Sequence, residues 1–123
     1  MIITLLVSMA GGLGAVARLV LDGLIRGRHV LEYPVGTTLI NVSGSFLLGL
    51  LGGLALRLAL PASWHLVLGT GFLGGYTTFS TASVETVRLL QDRRWLAAMA
   101  NCFGLVVVAS AAAAAGLALG DLS

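Results

Sequence analysis

Apolar residues run in four blocks, about Ile2 to Leu21, Gly36 to Leu56, Trp64 to Leu90 and Trp95 to Leu119, with short polar stretches between them. Three of the blocks are near the roughly 20 residues that carry a helix across a bilayer. The third is made differently. Its apolar run from Trp64 and its half-apolar run ending at Leu90 are each about 13 residues, too short to cross alone but long enough when joined. At the join, Gly69-Thr70-Gly71-Phe72-Leu73-Gly74-Gly75-Tyr76-Thr77-Thr78-Phe79-Ser80-Thr81-Ala82-Ser83 crowds glycines against hydroxyls. Glycine weakens a helix, and threonine competes for its backbone hydrogen bonds. The pattern therefore predicts a helix broken at Gly74 to Thr78, near the membrane midplane, in preference to a continuous helix whose small residues only pack. Non-helical backbone at that depth is tolerated where it is buried in protein or lines a cavity, and unwound carbonyls there commonly hold a cation.

Within the other blocks the polar positions are few and ordered. Thr37, Asn41 and Ser45 recur at i+4 and form one polar stripe on the second helix, which reads as the lining of a path or as interhelical glue. After the break, Phe79 and Ala82 share a face, with Thr77, Ser80 and Thr81 in an adjoining stripe, and Glu85 and Arg88 make an i,i+3 pair. The fourth helix is alanine-rich, with Asn101 as its strongly polar interior residue. Glycines at 11, 14, 49, 53, 71 and 75 predict close helix approach and a compact bundle. Arg18 lies inside the first block, where a charge costs several kcal/mol unless paired, hydrated or snorkelling. It either snorkels beside Asp22 or faces an anion-bearing vestibule. The stretch from Asp22 to Pro34 reads as a polar loop, with Tyr33-Pro34 marking the entry to the second helix.

Composition turns these blocks into a class. At 123 residues, 58% hydrophobic and 10% charged, with mean hydropathy +1.02, the chain is an all-α integral membrane protein with a single four-helix domain over 1–123. The first block has no basic residue before it and is longer than a signal-peptide core, so it is expected to stay in the mature chain. The net charge of +2 comes from seven arginines, no lysine and five acids, scattered over short loops, so no nucleic-acid partner is implied. Arg26, Arg28, Arg88, Arg93 and Arg94 fall on one side and Arg57 on the other, which places both connecting loops in the cytoplasm and both termini outside. Trp64 and Trp95 open their helices as interfacial anchors, and the single Cys102 reads as a small hydrophobe.

Known chemical patterns are mostly excluded. Gly12-x-Gly14-x-x-Ala17, with Glu32 beyond it, imitates a dinucleotide fingerprint but lacks any room for a βαβ unit. Asn41-Val42-Ser43 fits a glycosylation formula at a membrane depth that forbids it, and His65 stands without partner ligands. No nucleophile triad or carboxylate pair is present, so the chain does not read as an enzyme.

Three motifs carry a resemblance. Gly11-Gly12-x-Gly14-Ala15-x-x-Arg18, Gly36-Thr37-x-x-x-Asn41-x-x-Gly44-Ser45-Phe46 and Gly71-Phe72-Leu73-Gly74-Gly75-Tyr76-Thr77-Thr78-Phe79-Ser80-Thr81 together resemble the bacterial fluoride channel family (Fluc, also called CrcB) over nearly the whole chain. The resemblance implies an antiparallel dimer of four-helix subunits in the inner (plasma) membrane, with two fluoride pores and passive export of fluoride. It also implies a structural sodium ion held by the backbone carbonyls of Gly74 and Thr77 from each subunit. The pore asparagine would be Asn41, the first pore phenylalanine Phe79 and the vestibule arginine Arg18, with Asn101 in place of a pore hydroxyl on the fourth helix.

General chemistry supports such roles. Fluoride is small and tightly hydrated, so a pore must replace water with donors, and the Asn41 amide, the Ser80 and Thr81 hydroxyls and the positive edge of the Phe79 ring qualify. Two positions depart from the family. Ala82 stands where a second pore phenylalanine is expected, and the arginine bias favours one orientation where a homodimeric antiparallel chain needs two. The second subunit is then expected to be a distinct paralogue, the alternative being a homodimer that tolerates the bias and uses Phe79 alone. The main alternative is a small multidrug-type proton-coupled exporter, which would need a membrane-embedded carboxylate that helices one and two lack. A purely structural assembly subunit would leave the Thr77 to Thr81 hydroxyls unexplained.

Overall fold

The computed structural model describes residues 1–28 and 35–122. The chain runs through α1 (Ile2–Arg28), α2 (Val35–Leu58), α3 (62–76), α4 (Phe79–Gln91) and α5 (Trp95–Leu122). Helices α1, α2 and α5 are each long and apolar enough to cross a membrane. Helices α3 and α4 together occupy the third apolar block. Helix α1 runs past the expected end at Leu21, because Asp22 and Arg26 lie one turn apart and form an ion pair at 3.0 Å. The residues from Asp22 to Arg28 are thus helix rather than loop. Tyr33-Pro34, read as the entry to the second helix, lies outside the described residues.

Between α3 and α4 the helix stops. Thr77 (φ −80°, ψ 161°) and Thr78 (φ −149°, ψ 118°) are extended, and α4 begins afresh at Phe79 with the Thr78 side chain accepting from the Thr81 N–H. Two stretches, His65–Leu73 and Ala100–Gly104, have wide π turns. In the first, the Gly74 N–H reaches back to the Gly69 carbonyl.

Glycines set how the helices meet. Helix α1 packs on α3, where a Cβ at Gly14 would strike the Phe72 carbonyl and one at Gly75 the Gly11 carbonyl. Helix α2 packs along α5 with both sides contributing: a Cβ at Gly49 would strike the Ala113 carbonyl, and one at Gly116 the Phe46 carbonyl. Gly116 and Gly120 complete a small-xxx-small face that the expected set of glycines did not include. Substituting Gly116 by valine is expected to destabilise the fold by about 1–3 kcal/mol by overpacking. Gly104→Ala, where nothing lies within 4 Å, is expected to gain up to about 1 kcal/mol of helix propensity. Thermal unfolding in detergent reads both, and equal behaviour of the two variants would contradict this packing.

Helix α4 ends in a tight reversal. Arg93 takes a left-handed conformation (φ 58°), and the Arg93 and Arg94 amides close the end on the Leu90 and Leu89 carbonyls at 3.1 and 2.8 Å. Most large apolar side chains point outward, including Leu96 at 88% and Val107 at 66% exposure, which fits lipid or a second subunit rather than water. Among the described residues the buried polar side chains are Thr37, Asn41, Thr78 and Asn101.

Candidate functional site

The interruption is held by a side chain from another helix. Asn41 Nδ2 donates to the Thr78 carbonyl at 2.9 Å, while the Thr78 N–H donates to Asn41 Oδ1 at 2.8 Å. One amide thus serves both backbone groups of the residue that has left the helix, which is what a buried unwound peptide requires. Its second Nδ2 hydrogen has no partner assigned among these bonds. Thr78 also caps α4: its Oγ1 accepts the Thr81 N–H at 3.1 Å, donates to Thr81 Oγ1 at 3.1 Å and lies 3.3 Å from Ser80 Oγ.

These bonds redirect two amides. In an unbroken helix the Thr78 and Thr81 N–H groups would donate to the Gly74 and Thr77 carbonyls. Here they are turned to Asn41 Oδ1 and Thr78 Oγ1. Both Gly74 and Thr77 border a groove of about 520 Å³, shared with Asn41, Ser45, Phe79 and Ala82. Carbonyl oxygens are ligands for a hard cation, yet two from one chain fall short of the six or so that such a cation prefers. Carbonyl oxygens of this kind suit an alkali or alkaline-earth ion once further oxygen ligands are supplied.

Phe79 projects into this groove from the first turn of α4 and is 87% exposed. Ser80 is exposed beside it, and Thr81 is half-buried. Ser45, the third member of the α2 stripe, borders the groove, whereas Thr37, the first, donates its hydroxyl to Glu85. Glu85 therefore turns inward to α2. The expected Glu85–Arg88 ion pair does not form, although both residues border one shallow pocket with Arg26, Ser80 and Thr81.

Asn101 is placed away from the groove and is 1% exposed. Its Nδ2 donates to the Ala82 carbonyl at 3.2 Å and to Thr86 Oγ1 at 2.7 Å, while Oδ1 is buried without a partner. Both amide hydrogens are thereby spent on α4. Ala82 is buried against this contact, and its carbonyl also takes the Thr86 hydroxyl at 2.8 Å. At the other end, Arg18 does not pair with Asp22, whose Oδ2 takes Arg26. Arg18 and Asp22 instead border a small cavity with Thr37, Thr78 and Thr81.

Sequence reasoning missed the partners rather than the residues. Ser43 Oγ lies 3.0 Å from the Tyr76 hydroxyl, and Gly44 leaves the space that the Thr77 methyl fills. Both signals were present as polar or small residues between Asn41 and Ser45 of the stripe, but only the register of α2 against the break connects them.

Residues 5–117 match the family described as CrcB-like protein, Camphor Resistance (CrcB). "Fluoride-specific ion channel FluC 1" of Leifsonia xyli subsp. xyli is 57% identical over 99% of this chain and 89% of its own length. "Fluoride-specific ion channel FluC 2" of Cutibacterium acnes is 49% identical over 94% of each chain. "Fluoride-specific ion channel FluC" of Pyrococcus abyssi is 42% identical over 85% of each. With its three membrane-length helices the protein is a multi-pass membrane protein. A match over residues 5–117, which takes in the polar stripe of α2, the break and the first turn of α4, means that the chain belongs to the CrcB-like family.

Proposed function

We propose that this chain is a subunit of a fluoride-selective channel that lets fluoride leave the cytoplasm passively across the plasma membrane, and that it is not an enzyme. The observation that carries this reading is the clamp of Asn41 on Thr78, which leaves one amide hydrogen spare in the groove that Phe79 borders, with the Ser80 and Thr81 hydroxyls following in the same first turn of α4 and bordering the neighbouring pocket. Fluoride holds its water tightly, and such a row of donors replaces that water stepwise. Nothing in it needs a proton to be exchanged, which separates it from the exporter alternative. Helices α3 and α4 act as one fourth crossing, with Thr77 and Thr78 near the midplane, as the summed length of the two halves requires.

The groove is closed by a second subunit lying antiparallel. Phe79 at 87% exposure and the Gly74 and Thr77 carbonyls released by the break are unfinished features of a single chain, and a partner of the same fold related by a pseudo-twofold axis completes both. A sodium ion at the break would be held by those carbonyls from each subunit, supplying a fixed positive charge that ties the subunits together. Exchange of sodium for a bulky organic cation is expected to loosen the dimer in size-exclusion chromatography. Unchanged assembly and unchanged flux would remove the cation from this site.

The partner is a distinct paralogue of opposite charge bias. Five arginines on one side against Arg57 on the other hold this chain in one orientation, at about 1 kcal/mol or more for each misplaced arginine. Such a partner also offers the aromatic ring absent at Ala82. Expressed alone, the chain is expected to be silent in fluoride efflux, and co-expression with an oppositely biased paralogue is expected to restore it. Full fluoride-selective current from the chain alone would make it a homodimer.

A further inference from the structure

Two buried atoms of the cavity below Thr81 have no partner: Arg18 Nε, a donor, and Asp22 Oδ1, an acceptor. Their residues border the same space of about 100 Å³ without bonding to one another. That volume holds more than one water-sized guest, since about 10–15 Å³ of such space suffices for one. Thr81 offers a second donor. Its N–H goes to Thr78 Oγ1 and its oxygen accepts the Thr78 hydroxyl, so its own hydroxyl hydrogen is free to turn into the cavity. Asp22 is held in place by Arg26 on its other oxygen and by Gly36, where any Cβ would strike Oδ1. The charged groups around it are Arg18 and Arg26 on α1 and, across the Thr37 hydroxyl, Glu85 on α4.

We propose that Asp22 is a specificity-determining residue: it makes this cavity accept fluoride only together with one retained water. The inference rests on the fluoride-channel reading above. Fluoride accepts from Arg18 Nε and from the Thr81 hydroxyl. A carboxylate oxygen cannot be satisfied by an anion, but one water can donate one hydrogen to fluoride and the other to Asp22 Oδ1. The carboxylate thus keeps part of the hydration shell at the cytoplasmic entrance, before the clamp at Asn41 completes dehydration. A chloride ion is larger and takes the space of that water, which sets its charge directly against Asp22 Oδ1, the carboxylate oxygen that Arg26 does not bind.

The test uses proteoliposomes carrying the two-subunit channel and compares Asp22→Asn with Arg26→Gln. Asp22→Asn replaces the acceptor with a donor and removes the charge. The half-saturating fluoride concentration should fall by roughly threefold or more, and chloride should become an inhibitor of fluoride efflux. Arg26→Gln leaves the carboxylate un-neutralised and should raise the half-saturating concentration. Both substitutions remove the same Asp22–Arg26 ion pair, so a purely structural role for that pair would move them in the same direction. Shifts in the same direction, or none in either, overturn the proposal, and Arg26→Gln alone keeps it testable should Asp22→Asn fail to assemble. If unsubstituted channels release no fluoride, it is the underlying reading that fails.

Discussion

Asn41→Ala is expected to abolish fluoride flux and to loosen the protein at the same time. The alanine leaves the Thr78 N–H and carbonyl unpaired at a position that is 7% exposed. Each orphaned buried polar group costs about 1–3 kcal/mol, so a loss of roughly 2–6 kcal/mol is expected if nothing refills the site. Thr78 is also the cap of α4, and a shift of its Oγ1 moves the first turn that carries Phe79, Ser80 and Thr81. Flux is therefore lost twice over, through the missing donor and through the displaced row. Thermal unfolding beside fluoride efflux checks this: lost flux with unchanged stability would confine Asn41 to the path, and retained flux would remove it from the path.

Phe79→Ile separates the two effects. The ring is 87% exposed within its own chain, so its loss leaves the packing of the monomer intact, while the positively polarised edge that can face an anion disappears. Isoleucine fills similar space with no such edge. Efflux should fall by about 100-fold or more, the scale of roughly 2.7 kcal/mol of lost stabilisation. Monomer stability should stay within about 0.5 kcal/mol, as for surface substitutions generally. Normal flux in this variant would move the pore away from Phe79. The pair of variants distinguishes a residue that builds the row from one that only belongs to it.

Much of the fold is legible as periodicity. The apolar blocks, the weak point between Trp64 and Leu90 and the i+4 stripe of Thr37, Asn41 and Ser45 are local properties of the sequence, and the helices are laid out accordingly. What depends on register is not legible. The inward turn of Glu85 to Thr37, in place of the expected pair with Arg88, needs α2 and α4 side by side. Asn101 looks like a lining residue from its isolation on an apolar helix, yet both of its amide hydrogens go to Ala82 and Thr86. The extension of α1 to Arg28 was masked by the polarity of the stretch after Leu21, which suggests a loop until the Asp22–Arg26 pair is counted. The wide turns at His65–Leu73 and Ala100–Gly104 leave no mark in the hydrophobic pattern at all.

The most direct measurement is ion release from proteoliposomes carrying this chain with its oppositely oriented partner, read with a fluoride electrode and, in parallel, a chloride electrode. A valinomycin-clamped potassium gradient supplies the driving force, and the run is repeated with the proton gradient collapsed by an uncoupler. Fluoride is expected to leave at an undiminished rate after the collapse, with chloride retained inside. Fluoride release that stops when the proton gradient is removed, or chloride leaving as fast as fluoride, would contradict a passive fluoride-selective path built on Asn41 and Thr78.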